Sequence, residues 1–534
     1  MEAWILRGGI VCDGTARPPA RADILVKEGR IAAIAPHLPD TLPGFQADGC
    51  LVTPGFVDQH RHCDLAPFRD AAFGRLELAQ GITSTVVGNC GLSAAPLDPN
   101  QDHDFFAYMA PVLGPVPAGA PCASHAAYAA ALAGRPLPLH IGFLAGLGSV
   151  RYAVKGFSPS PFAAQELARG VQLVEEALDA GACGVSLGMM YRPECYTLPE
   201  EYAALLAPVA RRGGVLCTHI RGEGDSLVAS VQEVLKLARE AGVRLNISHF
   251  KATGVRNWRS SIFRAIDCLE NARAGGQDVT ADFYPYDGGS TTLLSLLPPP
   301  LADCPPEFFA TAAGRTRLRR ELYRDHPGWD NMVTAIGWER ILLSAVTGPG
   351  YLADQGKDFC QIAATHGFDD PADLMADLLA SEGGNAGIIV LSMDWADVQT
   401  VAKLPYTALI SDALYCDAGS PHPRLYGAFP RMLRKLVQED HCLTLEQAIA
   451  KMTALPARCL GLTGRGVLAP GACADLLVFR PEEFADHATY TAPKQFATGM
   501  RLVFVNGQLA FRHDTMEPAR AGTLLRGPAY TQKG

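Results

Sequence analysis

The sequence predicts an α/β protein: a (β/α)8 TIM-type barrel, joined to a small β domain that both chain ends build, and interrupted by an inserted subdomain. Three observations support this prediction. From Thr53 onward, short apolar runs alternate with longer amphipathic segments, as is typical of parallel βα units. The two ends instead carry short strand-like segments with hairpin turns. A proline-rich stretch interrupts the βα alternation late in the chain.

Eight runs are the candidate barrel strands, because each is mostly apolar, as expected of strands buried on both faces. They are Gly55–His60, Ser84–Asn89, His140–Gly146, Gly184–Leu187, Val215–His219, Leu245–His249, Val279–Tyr284 and Ala408–Asp412. Amphipathic segments lie between them, and Ser226–Ala241 places Leu227, Val231 and Val234 on one helical face. Eight βα units make a closed barrel the economical arrangement, and we assign residues 53–465 to it.

The two chain ends are expected to form one β domain, from residues 1–52 and 466–534. The first end contains a hairpin turn at Lys27-Glu28-Gly29-Arg30, between strand-like segments. The second contains the turn dipeptide Asn506-Gly507 within a similar segment. Because the termini of a barrel can lie close together, the two ends can meet in a single sheet.

The inserted subdomain is predicted at about residues 290–347, between the seventh and eighth strands. This stretch contains Pro298-Pro299-Pro300 and Pro305-Pro306, together with a basic cluster from Arg315 to Arg320. Consecutive prolines are incompatible with a regular helix or a central strand, so the βα alternation stops here. We expect the insertion to lie over the mouth of the barrel.

Composition restricts the class of function. Hydrophobic residues make up 48% of the chain and charged residues 19%, which excludes a disordered chain and a coiled coil. The formal charge of −9 offers no electrostatic footprint for nucleic acid or an anionic membrane, so the expected partner is a small molecule. The sequence does not predict the oligomeric state.

The cysteines and the N-terminal segment predict a cytoplasmic protein. The chain has 15 Cys, an odd number without any CxxC pair, so neither a disulfide framework nor a zinc ribbon is indicated. Its first residues lack the basic region and long apolar run of a signal peptide. No segment approaches the length of about 18 apolar residues that a membrane span requires.

The strongest functional signal is an apolar strand that ends in His60-Arg61-His62. Alternate residues of a strand point the same way, so both imidazoles can face one divalent metal ion. For an isolated His-x-His the alternative is a pair of ordinary histidines, because short motif matches often mislead.

Three further strands end in borderline metal ligands, in Gly88-Asn89-Cys90-Gly91, Cys217-Thr218-His219 and Ile247-Ser248-His249. The carboxyl ends of barrel strands converge on one site, so these separate positions are expected to meet. Cys90, His219 and His249 would bind Zn(II) and leave one position open for water, as in catalytic zinc sites. Taken alone, Cys90 could equally be a small buried apolar residue.

The eighth strand ends in Ile410-Ser411-Asp412, which places a carboxylate at the same end of the barrel. Asp412 is predicted to take a proton from the water that the metal activates and to pass it to the leaving amine. We include it among the metal ligands as well. An Asp after a strand is also a common helix N-cap, and both roles can coexist.

These residues resemble a known family, the N-acyl-D-amino-acid deacylases (D-aminoacylases) of the amidohydrolase superfamily. The resemblance extends over nearly the whole chain and is most specific where Asn-Cys-Gly is combined with His-Pro-Arg-x-Tyr-Gly. The segments that carry it are Pro54–Asp58 with His60-x-His62, Gly88–Gly91, Ser248–Lys251, Tyr284-Pro285-Tyr286, Ser411-Asp412, His422–Arg431, Lys451–Ala457 and Gly471–Leu476.

The resemblance implies a metal-dependent barrel, a small β-sandwich built from both chain ends, and an inserted subdomain. It implies that Cys90 occupies a bridging position and joins His219 and His249 at a tight zinc site. His60 and His62 would form a weaker second site. Asp412 would be the general acid/base. The resemblance also implies that Tyr191 and Lys251 contact the substrate and polarise its amide carbonyl. We add Arg221 or Lys251 as the receptor for the substrate carboxylate. These substrate-binding candidates are Tyr191, Lys251, Tyr284 and Arg221.

The sequence departs from the family pattern at four positions. Arg61 and Cys63 replace the small and acidic residues usual around the second His, Leu147 replaces a His, and Ala413 replaces the Gly that commonly follows the catalytic Asp. The ligands and the base remain. The departures therefore bear on the substrate and on occupancy of the weaker metal site.

We therefore predict zinc-dependent hydrolysis of the amide bond of N-acyl-D-amino acids, releasing a carboxylate and a free D-amino acid. The first alternative is a cyclic-amide hydrolase of the hydantoinase or dihydroorotase kind. A carboxylated Lys at the end of the fourth strand would favour it, but Gly184–Leu187 contains none. The second is a non-catalytic barrel that acts as a binding protein, in which loss of ligands would be expected.

Overall fold

The computed structural model describes residues 3–39, 41–415 and 419–530. The strands up to the middle of the chain are β1 (Ala3–Val11), β2 (Ala20–Lys27), β3 (Arg30–Ala35), β4 (Gly44–Gln46), β5 (Leu51–Pro54), β6 (Phe56–Asp58), β7 (Arg61–His62), β8 (Ile82–Val87), β9 (His140–Phe143), β10 (Ala145–Gly146), β11 (Gly184–Gly188) and β12 (Val215–His219). The later strands are β13 (Arg244–Ile247), β14 (Val279–Phe283), β15 (Gly289–Thr292), β16 (Ile341–Ala345), β17 (Gly387–Val390), β18 (Thr407–Leu409), β19 (Ala413–Leu414), β20 (Leu476–Phe479), β21 (Met500–Val505), β22 (Gln508–Arg512) and β23 (Thr515–Met516).

The α-helices lie mostly between the barrel strands and within the insertion. They are α1 (Ala66–Arg69), α2 (Arg75–Ala79), α3 (His103–Leu113), α4 (His125–Ala133), α5 (Leu147–Lys155), α6 (Ala164–Ala180), α7 (Pro199–Arg211), α8 (Leu227–Ala241), α9 (Ser261–Ala274), α10 (Pro306–Ala310), α11 (Ala312–Leu322), α12 (Met332–Ile336), α13 (Phe359–His366), α14 (Pro371–Glu382), α15 (Trp395–Lys403), α16 (Arg424–Arg431), α17 (Leu445–Met452) and α18 (Ala454–Cys459). A π-helix, Met432–Glu439, continues α16.

Eight parallel strands follow one another in chain order around the barrel: β6, β8, β9, β11, β12, β13, β14 and β18. The Cys183 N–H donates to the Phe143 carbonyl at 2.9 Å and so connects β9 to β11. The first and last strands meet beyond their ends, where β7 pairs in parallel with β19. There the Asp412 N–H donates to the His60 carbonyl at 3.0 Å.

The eight predicted runs coincide with these eight strands. Boundaries differ most where a strand approaches the mouth of the barrel. The run predicted to end at Asp412 is a regular strand only to Leu409, and Asp412 itself has a positive φ of 47°, which lies outside strand geometry. The predicted helix Ser226–Ala241 is α8, with Ser226 at its N-cap position.

Strands from both chain ends form one nine-stranded sheet, in the order β23-β22-β21-β20-β5-β1-β2-β3, with β4 paired to β1. The two ends meet where β5 pairs with β20. The sheet has its own core, in which the Trp4 ring stacks on Phe504 at 4.4 Å between centroids. Strand β5 crosses the predicted boundary at residue 52, and the division into domains stays a prediction.

The segment after β14 contains an antiparallel sheet, β15-β17-β16, with a hydrophobic cluster of its own. The cluster continues past the predicted end of the insertion near residue 347, as far as Val390. The bounds of the insertion stay a prediction, and α13, α14 and β17, which have the apolar alternation of a βα unit, lie beyond residue 347. Their apolar faces nevertheless pack on this separate cluster rather than on the barrel.

His125 is expected to make the protein less stable in acid. It is 1% exposed at the start of α4 and stacks on Phe143, and neither ring nitrogen has a hydrogen-bond partner within the described part of the chain. Burial lowers the pKa of His125 to about 3. Between that value and about 6.5 only the unfolded chain binds the proton, so the free energy of unfolding falls as the pH falls.

The test compares urea unfolding of the wild type and His125→Phe at pH 7.5 and 5.0. We expect the variant to lose about 2 kcal/mol less than the wild type over this interval. The exposed His103→Asn variant is the matched control and should follow the wild type. Equal pH dependence of all three proteins would contradict the prediction.

All fourteen described cysteines are free thiols. Within the described ranges, no helix combines the length and the apolar character needed to cross a bilayer. The cytoplasmic location stays a prediction.

Candidate active site

Six predicted side chains meet at the carboxyl ends of the barrel strands. His60 and His62 follow β6, Cys90 follows β8, His219 ends β12, His249 follows β13, and Asp412 follows β18. All six are at most 6% exposed. Parallel strands carry their carboxyl ends to one edge of a barrel, which explains why residues far apart in sequence converge.

Cys90 lies between the two halves of this cluster. Its Sγ is 3.3 Å from His60 Nε2 and 3.5 Å from His249 Nε2. The ligand atoms of His60, His62 and Cys90 all lie within 4.8 Å of one another, and so do those of Cys90, His219 and His249. Cys90 is therefore the member that the two groups share.

Asp412 joins the half of the cluster formed by the His-x-His pair. Its Oδ1 is 3.3 Å from His60 Nε2 and 3.4 Å from His62 Nε2, while its Oδ2 is 2.9 Å from Arg424 Nη1. Burial alone would raise the pKa of Asp412, but the Arg424 guanidinium and His60 outweigh it and hold that pKa well below its usual range. The carboxylate is thus ionised.

Three of the converging residues have a left-handed backbone conformation, which residues other than glycine rarely adopt. Cys90, His249 and Asp412 have φ values of 54°, 37° and 47°. Such left-handed residues cost roughly 1–3 kcal/mol each and persist where the surrounding structure enforces them, which is often at functional sites. The neighbouring Gly91 must be glycine, since a Cβ there would lie 2.0 Å from a Glu194 carboxylate oxygen.

The donor set fits Zn(II). One thiol, four imidazoles and one carboxylate are the ligand types that zinc prefers. Burial, reinforced by the Asp412 carboxylate, raises the pKa of the Cys90 thiol well above its usual value, and burial lowers the pKa of His60 well below its own. A divalent cation among these donors would favour the thiolate and neutral imidazole forms that bind metal.

A second layer of residues fixes the orientation of His249. Its Nδ1 lies 2.9 Å from both Glu223 Oε1 and Lys251 Nζ, and its backbone N–H donates to Asp282 Oδ1 at 2.5 Å. Burial would raise the pKa of Glu223, but Lys251 holds it well below its usual range. Partners of this kind set the tautomer and angle of a metal-binding imidazole.

Arg61, the unusual residue between the two histidines, points away from the cluster. Its guanidinium lies 2.9 Å from Glu77 and 3.5 Å from Asp58, and it donates to Ser411 Oγ at 3.1 Å. Arg61, Glu77 and Asp58 are fully buried. Asp58 also accepts a hydrogen bond from the Ser411 backbone at 3.0 Å, so the network connects the first and eighth strands beside the site.

Removing one charge from this network is expected to cost stability. In Glu77→Gln the buried Arg61 loses its closest counter-charge, and breaking a buried ion pair costs about 3–5 kcal/mol. Urea unfolding should show this loss. Glu175→Gln, which removes an exposed pair with Arg211, is the matched control and should change the free energy of unfolding by less than about 1 kcal/mol. An unchanged unfolding midpoint for Glu77→Gln would contradict the prediction.

The cluster opens into a cavity of about 410 Å³, which is within the range of roughly 300–1,000 Å³ typical of small-molecule sites. The four predicted substrate-binding residues, Tyr191, Lys251, Tyr284 and Arg221, all line it. The Tyr191 ring lies 4.8 Å from the His219 ring. Residues of the insertion form part of the wall.

Two arginines on the cavity wall differ in how far they are engaged. Arg221 Nε lies 3.1 Å from Glu233, Nη2 3.0 Å from the same carboxylate, and Nη1 donates to the Met189 carbonyl at 3.3 Å. Arg424 is 1% exposed and its Nε has no hydrogen-bond partner among the described residues. Sequence reasoning missed Arg424, although the His422-Pro423-Arg424 string carried the resemblance.

The other three departures lie around the site without removing a ligand. Leu147 is buried at the first position of α5, and Cys63 is buried beside the Arg61 network. Ala413 begins β19 and pairs with Arg61 of β7. None of the three contributes a donor to the cluster.

Comparison with known proteins gives concordant matches. The amidohydrolase family model matches residues 364–511. N-acyl-D-glutamate deacylase of Alcaligenes xylosoxydans xylosoxydans is 35% identical, over 98% of this chain and 96% of that protein. D-aminoacylase of the same organism is 33% identical, over 98% of this chain and 97% of that protein.

Two solved structures share the fold over nearly the full length. One is N-acyl-D-glutamate deacylase from Bordetella bronchiseptica, complexed with zinc and a phosphonate inhibitor that mimics the tetrahedral intermediate. It has a TM-score of 0.82 and 34% identity, and the match covers 98% of this chain and 99% of that chain. The other is D-aminoacylase, in a study of its binuclear metal centre, with a TM-score of 0.82, 31% identity and coverage of 98% and 99%.

Proposed function

This chain belongs to the N-acyl-D-amino-acid deacylase family of the amidohydrolases, and from that membership we propose how its own residues perform the reaction. The enzyme is a zinc-dependent amidohydrolase of linear N-acyl-D-amino acids, which releases a carboxylate and a free D-amino acid. The observation that carries the assignment of roles is the convergence of Cys90, four histidines and Asp412 at the base of the cavity.

We assign the tight zinc site to Cys90, His219 and His249, and the weaker second site to His60 and His62. Cys90 adjoins both sites, and Asp412 adjoins the second. Bound zinc supplies Lewis acidity, which lowers the pKa of a water molecule and polarises the amide carbonyl. Glu223 and Lys251 hold the His249 ring in a fixed orientation.

Asp412 moves the proton. Its carboxylate accepts a proton from the attacking water as the new C–O bond forms at the acyl carbon. It then delivers that proton to the amide nitrogen as the C–N bond breaks, so the amine leaves as a neutral group. The ionised state that Arg424 and His60 favour is the state that this first transfer requires.

Arg424 receives the substrate α-carboxylate in this proposal, in preference to Arg221. Arg424 Nη1 pairs with Asp412 at 2.9 Å and Nη2 lies 3.5 Å from the Ser290 carbonyl, which leaves the buried Nε unpartnered among the described residues. All three guanidinium nitrogens of Arg221 are engaged. Unpaired buried donors are costly, and a carboxylate would satisfy one. Lys251, Tyr191 and Tyr284 contact the rest of the substrate, since all three line the cavity beside the metal ligands.

Arg424→Gln is expected to lower kcat/KM for an N-acetyl-D-amino acid roughly 10- to 100-fold, because charge-assisted hydrogen bonds contribute about 1.5–3 kcal/mol. The measurement pairs each substrate with its methyl ester. The ester lacks the negative charge, so the variant and the wild type should hydrolyse its amide bond with more similar kcat/KM values. An equal loss on acid and ester would contradict the carboxylate role.

A substrate screen with metal analysis tests the function itself. We expect bound zinc and turnover of N-acetyl-D-amino acids in preference to their L enantiomers. Faster turnover of hydantoins or dihydroorotate would instead support the cyclic-amide alternative. Zinc-loaded protein without amide turnover of any kind would leave only a binding role.

A further inference from the structure

The proposed reaction does not specify which amino-acid side chain the substrate carries. We propose that the cavity selects N-acyl-D-amino acids with a neutral, apolar side chain, such as methionine, leucine or phenylalanine, and discriminates against aspartate and glutamate. This inference rests on the proposed function. It is carried by the apolar walls of the cavity and by the pairing of its cations.

Apolar side chains from two separate parts of the chain line the cavity. Leu92 and Val112 come from the segment that follows β8. Leu294, Leu297 and Met332 come from the insertion. An acyl group and an apolar side chain can therefore both be buried against hydrocarbon, and removing their apolar surface from water favours binding.

Methionines make part of this wall adaptable. Met189, Met190 and Met332 all line the cavity. The unbranched thioether side chain fills irregular space and accommodates ligands of different shape. We therefore expect tolerance among apolar side chains, with branched, linear and aromatic forms all accepted.

The charges that line the cavity balance in number. The lining side chains include four cations, Arg192, Arg221, Lys251 and Arg424, and four carboxylates, Glu223, Asp303, Asp330 and Asp412. A substrate with an acidic side chain brings a second negative charge besides its α-carboxylate. To bind well, that charge needs a cation that is not already committed.

Two of the cations are neutralised at the wall. Both edges of the Arg221 guanidinium are engaged, by Glu233 at 3.0 Å and by the Met189 carbonyl at 3.3 Å. Arg192 Nη2 is 2.8 Å from Asp303, and its Nη1 donates to the Ala302 carbonyl at 2.7 Å. All three guanidinium nitrogens of Arg221 and both terminal nitrogens of Arg192 are thus engaged, and the Arg192 Nε, which has no partner among the described residues, is buried.

The other two cations serve the reaction centre. Lys251 Nζ lies 2.5 Å from Glu223 Oε1 and 3.0 Å from the His249 carbonyl oxygen, so it belongs to the support of the metal ligand. Arg424 adjoins Asp412 and is assigned to the α-carboxylate. A side-chain carboxylate would consequently be desolvated without a partner, which disfavours it by roughly 100-fold or more.

The test measures kcat/KM of the zinc-loaded enzyme for N-acetyl-D-methionine, N-acetyl-D-glutamine and N-acetyl-D-glutamate, which have side chains of similar length. We expect methionine to exceed glutamate by at least roughly 100-fold, with glutamine between them. Glutamate turnover equal to or above that of methionine would overturn the inference while leaving the deacylase function intact. Absence of turnover on all three, with zinc bound, would instead overturn the proposed function.

A variant that frees the Arg221 guanidinium from its counter-charge tests whether the pairing of this cation causes the selectivity. Glu233→Gln removes the counter-charge of Arg221 and should raise the glutamate-to-methionine ratio of kcat/KM about 10-fold or more. Glu240→Gln, an exposed carboxylate on the same helix α8, is the matched control and should leave the ratio unchanged. If both variants keep the wild-type ratio, the pairing of Arg221 does not determine the selectivity, and that part of the inference is wrong.

Discussion

Asp412→Asn is expected to lower kcat roughly 100- to 10,000-fold, the range that general acid–base groups contribute. Asn has nearly the same shape as Asp, so packing at the end of the eighth strand should be retained. Its amide cannot accept the proton of the attacking water or return it to the leaving nitrogen. The substitution also removes the negative charge that lies 2.9 Å from Arg424 Nη1.

Measured zinc content decides how a loss of activity is interpreted. The tight-site residues, Cys90, His219 and His249, are unchanged in the variant, so we expect zinc to remain bound at that site. Asp370→Asn is the control: Asp370 caps α14 in the insertion, where its side chain accepts from the Ala372 N–H at 2.9 Å. That variant should keep full turnover. Turnover of Asp412→Asn within about tenfold of the wild type, with zinc bound, would show that another group transfers the proton.

Much of the site could be predicted from the sequence because its residues follow apolar strands. The carboxyl ends of the parallel strands of a barrel all lie at one mouth. The position of a polar residue immediately after an apolar run can therefore be predicted. Cys90, His249 and Asp412 are all of this kind, and their position needed no knowledge of loop structure. Each of them has a positive φ, a backbone feature that has no pattern in the sequence.

Residues that do not directly follow a barrel strand could not be predicted in the same way. Glu223 follows His219 by four residues, and only the folded loop brings its carboxylate within 2.9 Å of His249 Nδ1. Arg424 stands after the eighth strand, in a string noticed for its resemblance rather than for its chemistry. Its contact with Asp412 depends on the path of the chain between them.

The direction of Arg61 and the extent of the insertion were uncertain for a different reason. A cation between two metal-binding histidines looks unfavourable in sequence, but the alternation of a strand turns it to the opposite face. There Glu77 and Asp58, from other segments, neutralise it. The insertion was predicted to end near residue 347, whereas its hydrophobic cluster continues to Val390. Helical and strand periodicity does not reveal which of two cores an apolar face joins.

Cys90→Ala is expected to reduce zinc affinity by more than about 100-fold and to lower turnover in proportion. The thiol is shared by both groups of candidate ligands, so its loss affects both metal positions. Substitution of residues that only support a ligand costs about 10- to 100-fold in metal affinity, and loss of a ligand itself should cost more. Zinc titration against a chelator of known affinity measures the change.

Cys217→Ala is the control that separates a ligand from a packing residue. Cys217 is a buried thiol on β12, 2% exposed, outside the metal-binding groups. If Cys90 were only a small apolar residue, the two substitutions would behave alike, with a modest loss of stability and normal zinc content. Alanine keeps the Cβ, so the strain at the Cys90 φ of 54° remains in the variant. A difference in zinc affinity between the two variants therefore reports the sulfur atom alone, and equal affinity would remove Cys90 from the metal centre.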